Sequence, residues 1–138
     1  MDYDGYFTRL SGDECRQLLR ARSVGRVSWR SVNGLEILPV TYTMSGDLIA
    51  FRTGSGTVMA ELLTAQDVSF EIDDVDEDTA TGWSVLVYGR AQGYLGDYPE
   101  GLTIPSPWAP GDHPILVVIE PQSYSGRAVS ATTGGAGC

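Results

Sequence analysis

Apolar and polar residues alternate with a period of two along most of the chain, and turn signals cut the alternation into short segments. Val24–Ser31 sets Val27 and Trp29 against Arg26, Ser28 and Arg30, the pattern of a half-buried strand. Asn33-Gly34 is a strong hairpin signal, so Leu35–Met44 should return antiparallel to it. Pro39 cannot donate to a ladder and should sit at an edge or an irregularity. Ser45-Gly46-Asp47 turns the chain into a third strand, Leu48–Thr53. A fourth is predicted at Val68–Ile72, a fifth at Trp83–Tyr94 and a sixth at Ile115–Glu120, with Tyr124–Val129 adding a short pairing.

The period changes in two places. Ser11-Gly12-Asp13-Glu14 is a capping box, and the helix it opens runs to about Ala21, with Leu18, Leu19 and Cys15 on one side. Gly54–Gly56 breaks the strand pattern, and Thr57 to about Ala65 reads as a short helix. Residues 1–9 read as a loose lead-in, Asp73–Gly82 as an acidic loop, Gly96–Pro114 as an irregular proline-rich segment and 130–138 as a flexible Gly-rich tail. One domain over 10–129 is predicted: mainly β, a small antiparallel barrel with a few short helices.

Charge narrows the chemistry. The chain carries nine basic residues against 18 acids, for a net charge of −9, and every basic residue is arginine. With no lysine there is no Schiff-base, P-loop or lysine-base chemistry. The acidic surface disfavours nucleic acid and anionic membrane. Arg90 and Arg127 are the only cations after Arg52, so a phosphorylated ligand should be met before residue 53. No apolar run approaches the ~20 residues of a spanning helix. The acidic start MDYDGYFTRL lacks the apolar core of a signal peptide, so a cytoplasmic location is expected. Cys15 and Cys138 should stay reduced. One His and two separated Cys do not make a zinc site.

The candidate chemistry centres on Arg52, followed by Thr53, Gly54, Ser55, Gly56 and Thr57. A guanidinium beside hydroxyls and a helix start suits a phosphate. The same residues would equally serve as a solvated strand end and a linker. The acidic run from Glu71 to Asp78 offers oxygen ligands for Ca²⁺ but lacks the turn glycine and terminal glutamate of such loops, so a solvated loop is the simpler reading. His113 could act as a base or an axial haem ligand, or be a surface residue. Trp29, Trp83 and Trp108 could line a flat ligand or pack a core.

Four segments go further: LSGDECRQLLRARSVGRVSW, LPVTYTMSGDLIAFRTGSGT, VSFEIDDVDEDTATGWSVLVYGRA and PWAPGDHPILVVIEPQSYSGR. In this order and spacing they resemble the pyridoxamine 5′-phosphate oxidase-like, FMN-binding split-barrel family, especially its short actinobacterial members. The resemblance implies a six-stranded antiparallel split β-barrel working as a homodimer, with flavin in a cleft between protomers. It implies that Pro39, Val40, Thr41 and Tyr42 run beside the flavin ring. Arg52, Thr53 and Thr57 would approach the phosphate, and Trp83 and Ser84 the ring. Trp108 would lie in the segment that reaches towards the partner's site. One departure stands out: relatives usually carry a basic residue after the GxGT-like loop, and here Val58 and Met59 follow. A missing cation at a phosphate costs on the order of 1–3 kcal/mol, or about ten- to hundredfold in affinity.

The function expected is an FMN-binding oxidoreductase acting on a small organic substrate, with deazaflavin as a variant cofactor and no nameable catalytic residue. Oxidation of pyridoxamine phosphate itself would need cations for a second phosphate. The alternative is a flavin-free barrel using the same cleft to bind a small molecule or to catalyse a cofactor-independent step. Haem handling through His113 is a weaker third.

Overall fold

The computed structural model describes residues 7–106 and 111–130. Seven strands and two helical segments follow in order: β1 (Phe7–Leu10), α1 (Gly12–Ala21), β2 (Val24–Ser31), β3 (Gly34–Ser45), β4 (Leu48–Thr53), a 3-10 turn (Val58–Leu63), β5 (Gln66–Asp76), β6 (Thr81–Leu95) and β7 (Ile115–Ser130).

All strand pairs are antiparallel, in the order β1-β7-β4-β3-β2-β5-β6, and β6 pairs with β7 to close the ring. Six strands make the barrel, as expected. β4 covers β7 over Ile115–Ile119, and β1 pairs with β7 over Gly126–Val129. The chain from Phe7 is therefore paired sheet, not the loose lead-in expected through residue 9. The barrel is filled by Phe51, Phe70, Ile49, Ile72, Val87, Val117 and Ile119, all essentially inaccessible to solvent.

Local chemistry explains the elements. Glu14 N donates to Ser11 Oγ (3.1 Å) and Ser11 N to Glu14 Oε1 (2.8 Å), so the expected capping box starts α1. The helix buries Cys15 and Leu19 against the barrel. Gly34 takes φ +113°, the left-handed conformation that the Asn33-Gly34 hairpin requires. Pro39 lies in the stretch of β3 that pairs with β2 but not with β4, an edge position of the kind a proline needs.

Three boundaries differ from expectation. The acidic loop shrinks, because Asp73–Asp76 continue β5 opposite Thr81–Ser84. The connection is tightened where Asp78 N and Thr79 N donate to Asp76 Oδ1. The 57–65 helix is a six-residue 3-10 turn. Ile115–Glu120 and Tyr124–Val129 are one strand; a register shift opposite Tyr88 and Gly89 accommodates Pro121. Trp108, Cys138 and the tail from 131 lie outside the described residues.

Candidate functional site

A cavity of about 590 Å³ opens where β3, β4, the 54–59 segment and the residues before β7 converge. Pro39, Val40, Thr41, Arg52, Thr53 and Thr57, all expected from the sequence to line one cleft, do so. Val24, Gly54, Met59, Asp112 and His113 complete its wall.

The register of β4 on β7 builds this site. Arg52 stands opposite Leu116 and Thr53 opposite Ile115, so the chain at 112–114 continues alongside Gly54. The carbonyl of Asp112 lies 3.5 Å from where a Cβ on Gly54 would be. Arg52 Nε donates to the carbonyl of His113 (2.9 Å). That is the only hydrogen bond of the guanidinium to the described residues, so its terminal nitrogens keep their donors. Thr57 Oγ1 donates to Gly54 O (3.0 Å) and lies 3.3 Å from Thr53 Oγ1. With the Thr57 proton committed to Gly54, Thr53 is the donor in the hydroxyl pair. Both hydroxyl protons thus point at protein, and Arg52 is the principal donor to the cavity. Asp112 stands in the same wall, its backbone carbonyl against Gly54.

The 3-10 turn is held against the barrel from two sides. Its residue Glu61 accepts from Trp29 Nε1 (2.8 Å) and Ser31 Oγ (3.1 Å). These hydrogen bonds, Trp29's first, hold the Glu61 carboxyl below its ordinary pKa. On the other side Gly93 of β6 admits the turn: a Cβ there would lie 2.7 Å from Leu62 O. Within the turn Leu62 is buried and Val58 packs against the core, while Met59 faces the cavity. Val58 and Met59, the two residues after the glycine loop, both pack partly buried against the core.

Three expected residues lie elsewhere. Tyr42 is buried with its ring edge on Phe70 (centroids 5.0 Å, 79°), and its hydroxyl donates to Leu19 O (2.7 Å). Strand alternation turns it inward while Pro39 and Thr41 face the cavity. Burial pushes the phenol pKa up, with Arg22 opposing, so it stays protonated. Trp83 and Ser84 are in β6 opposite Asp74 and Asp73, and line a separate cavity of about 260 Å³. Arg22, ion-paired to Asp74, stacks over the Trp83 ring at 5.0 Å. Within one protomer these two residues do not reach the Arg52 cavity.

Asp112 and His113 were not expected at this site. Their signal is topological: it appears only once β4 and β7 are known to pair. Met59, singled out in the sequence only for following the glycine loop, also lines the cavity. Among the described residues no helix is long and apolar enough to cross a membrane.

Comparisons agree with this fold. Among curated proteins none matches the sequence. An FAD-binding protein from Mycobacterium smegmatis superposes with a TM-score of 0.67 at 28% identity, over 88% of this chain and 97% of that one. A conserved protein of unknown function from Corynebacterium diphtheriae gives 0.69 at 29%, over 89% and 98%. An FAD-binding protein from Mesorhizobium loti, at 21% identity, shares the fold with a TM-score of 0.70 over 90% and 99%. The family model for pyridoxamine 5′-phosphate oxidase matches residues 11–128, nearly the whole described barrel. The chain belongs to the pyridoxamine 5′-phosphate oxidase family.

Proposed function

We propose that this protein binds a flavin in the Arg52 cavity and works as an oxidoreductase on a small organic substrate. The observation that carries the reading is the Arg52 guanidinium, fixed by His113 O at the wall of a cavity with both apolar and hydroxyl surfaces. Val24, Pro39, Val40 and Met59 offer the apolar contact that a flat ring system needs. Arg52 offers bidentate donors to one phosphate. The flavin, when bound, supplies the capacity to accept and return a hydride; the protein orients it and sets the local field. A single arginine matches the single phosphate of FMN. Deazaflavin is a variant of the same reading, and FAD is named for the relatives from M. smegmatis and M. loti.

The protein is further proposed to act as a homodimer in which the partner's β6 face, with Trp83 and Ser84, covers the open cavity. That arrangement would give the two residues a role that the single protomer does not.

The test is the absorbance spectrum of the purified protein with and without added FMN. Flavin bands at one per protomer, bleached anaerobically by a nicotinamide donor, are expected. A colourless protein that leaves the spectrum of added FMN unchanged would sink the proposal. The second reading, a flavin-free barrel binding another small molecule in this cavity, draws on the apolar Val58 packed against the core after the glycine loop and on Asp112 in the wall.

A further inference from the structure

Of nine arginines, five are ion-paired: Arg16, Arg20, Arg22, Arg26 and Arg90. Arg52 is held by a carbonyl. Arg9, Arg30 and Arg127 have no ion pair among the described residues, and of these Arg9 and Arg127 stand together. They are direct cross-strand partners of β1 and β7, so their side chains leave the same face of the sheet side by side. Like charges directly opposite each other destabilise a sheet. Among the described residues neither has a carboxylate in contact, although acids outnumber arginines two to one. Arg127 lies over the ring of Phe7 (5.9 Å), and both arginines are exposed.

The surroundings form a pocket. Arg9 and Arg127 line a cavity of about 360 Å³ with Ser84, Ser125, Leu86 and Glu71. Register explains the grouping: Ser84 is the β6 partner of Arg127, and Leu86 faces both Ser125 and Glu71. Two arginines and two serines line it. The carboxylate in the lining, Glu71, shares Arg26 with Asp73: Glu71 Oε1 accepts from Arg26 at 3.3 Å and Asp73 Oδ1 at 3.5 Å. Paired guanidinia with nearby hydroxyls suit an oxyanion, which also relieves their mutual repulsion.

We propose that Arg9 and Arg127 form a binding site for a small oxyanion, a phosphate or a carboxylate, on the outer face of β1, β6 and β7. Within one protomer this site is separate from the Arg52 cavity; it shares Ser84 with the face proposed above to cover the partner's cavity, but the Arg9–Arg127 pair does not rest on that reading.

The experiment follows the arginine Nε–H signals of the intact protein by NMR, with sodium phosphate or sodium acetate replacing chloride at constant ionic strength. Saturable shifts of Arg9 and Arg127 are expected, with none at the exposed Arg30. Saturation by phosphate alone identifies a phosphate site; saturation by acetate identifies a carboxylate site. Arg9→Gln should weaken binding at least tenfold. In chloride the same variant should melt no lower than the parent, because a repulsion has been removed. Arg52→Ala should leave the shifts unchanged. Shifts that never saturate, or that Arg30 shares, would overturn the proposal. So would an Arg9→Gln protein that melts lower and binds as before.

Discussion

Arg52 Nε donates to the backbone carbonyl of His113 across 2.9 Å, and this bond joins the two chain segments that shape the cavity. One segment leaves β4 through Gly54, and the other enters β7 from Asp112. The bond fixes the plane of the guanidinium, and among the described residues nothing else accepts from it, so its terminal nitrogens can act on a ligand. Arg52→Ala should remove both effects. FMN affinity is expected to fall about ten- to hundredfold, the scale of a lost charged hydrogen bond of ~1.5–3 kcal/mol. Arg52→Lys should recover little of it, since an ammonium provides neither the planar fork nor the Nε donor. Fluorescence titration of the two variants checks this.

Asp112 lines the same cavity, and a carboxylate at that position should oppose a phosphate there. Asp112→Asn is expected to tighten FMN binding several-fold at low salt, with the gain shrinking as ionic strength rises. An unchanged affinity at low salt would show that the carboxylate does not sense the ligand.

Tyr42 anchors β3 to the last turn of α1 through Leu19 O at 2.7 Å. Tyr42→Phe should lower stability by about 0.5–1.5 kcal/mol in denaturant unfolding, the usual net value of one hydrogen bond. FMN affinity should be unaffected, because the side chain points into the barrel and away from the cavity.

Glu61 ties the 3-10 turn to β2, and its carboxyl is held below its ordinary pKa by Trp29 and then Ser31. A group with a lowered folded pKa contributes stability above its unfolded value and loses it as pH falls through the folded one. Melting temperature should therefore drop as pH falls below the ordinary glutamate range near 4.5. Glu61→Gln should be less stable at neutral pH and less sensitive to acid over that window. Thermal melts between pH 6 and 3 report both.

Much of this was legible in the chain because it is local. The capping box, the Asn33-Gly34 turn and the alternation in β2 to β4 depend on neighbours within a few residues. Arg52, Thr53 and Thr57 fell together because they flank one loop. What was missed is long-range. β1 is a four-residue strand that makes sense only beside the far end of β7. Asp112 and His113 join the site through the pairing of β4 with β7. Acidic residues 73–76 read as loop, yet pairing with β6 holds them extended, and their charges meet Arg22 and Arg26. Only the resemblance groups Trp83 and Ser84 with Arg52, and the protomer keeps them apart.

The central claim is that the cavity recognises a flavin by its phosphate through Arg52. Equilibrium titration of the same preparation with FMN and with riboflavin, which lacks the phosphate, tests it most directly. Binding of FMN at one per protomer, at least tenfold tighter than riboflavin, is predicted. Equal affinity for the two, or binding of neither, would contradict it.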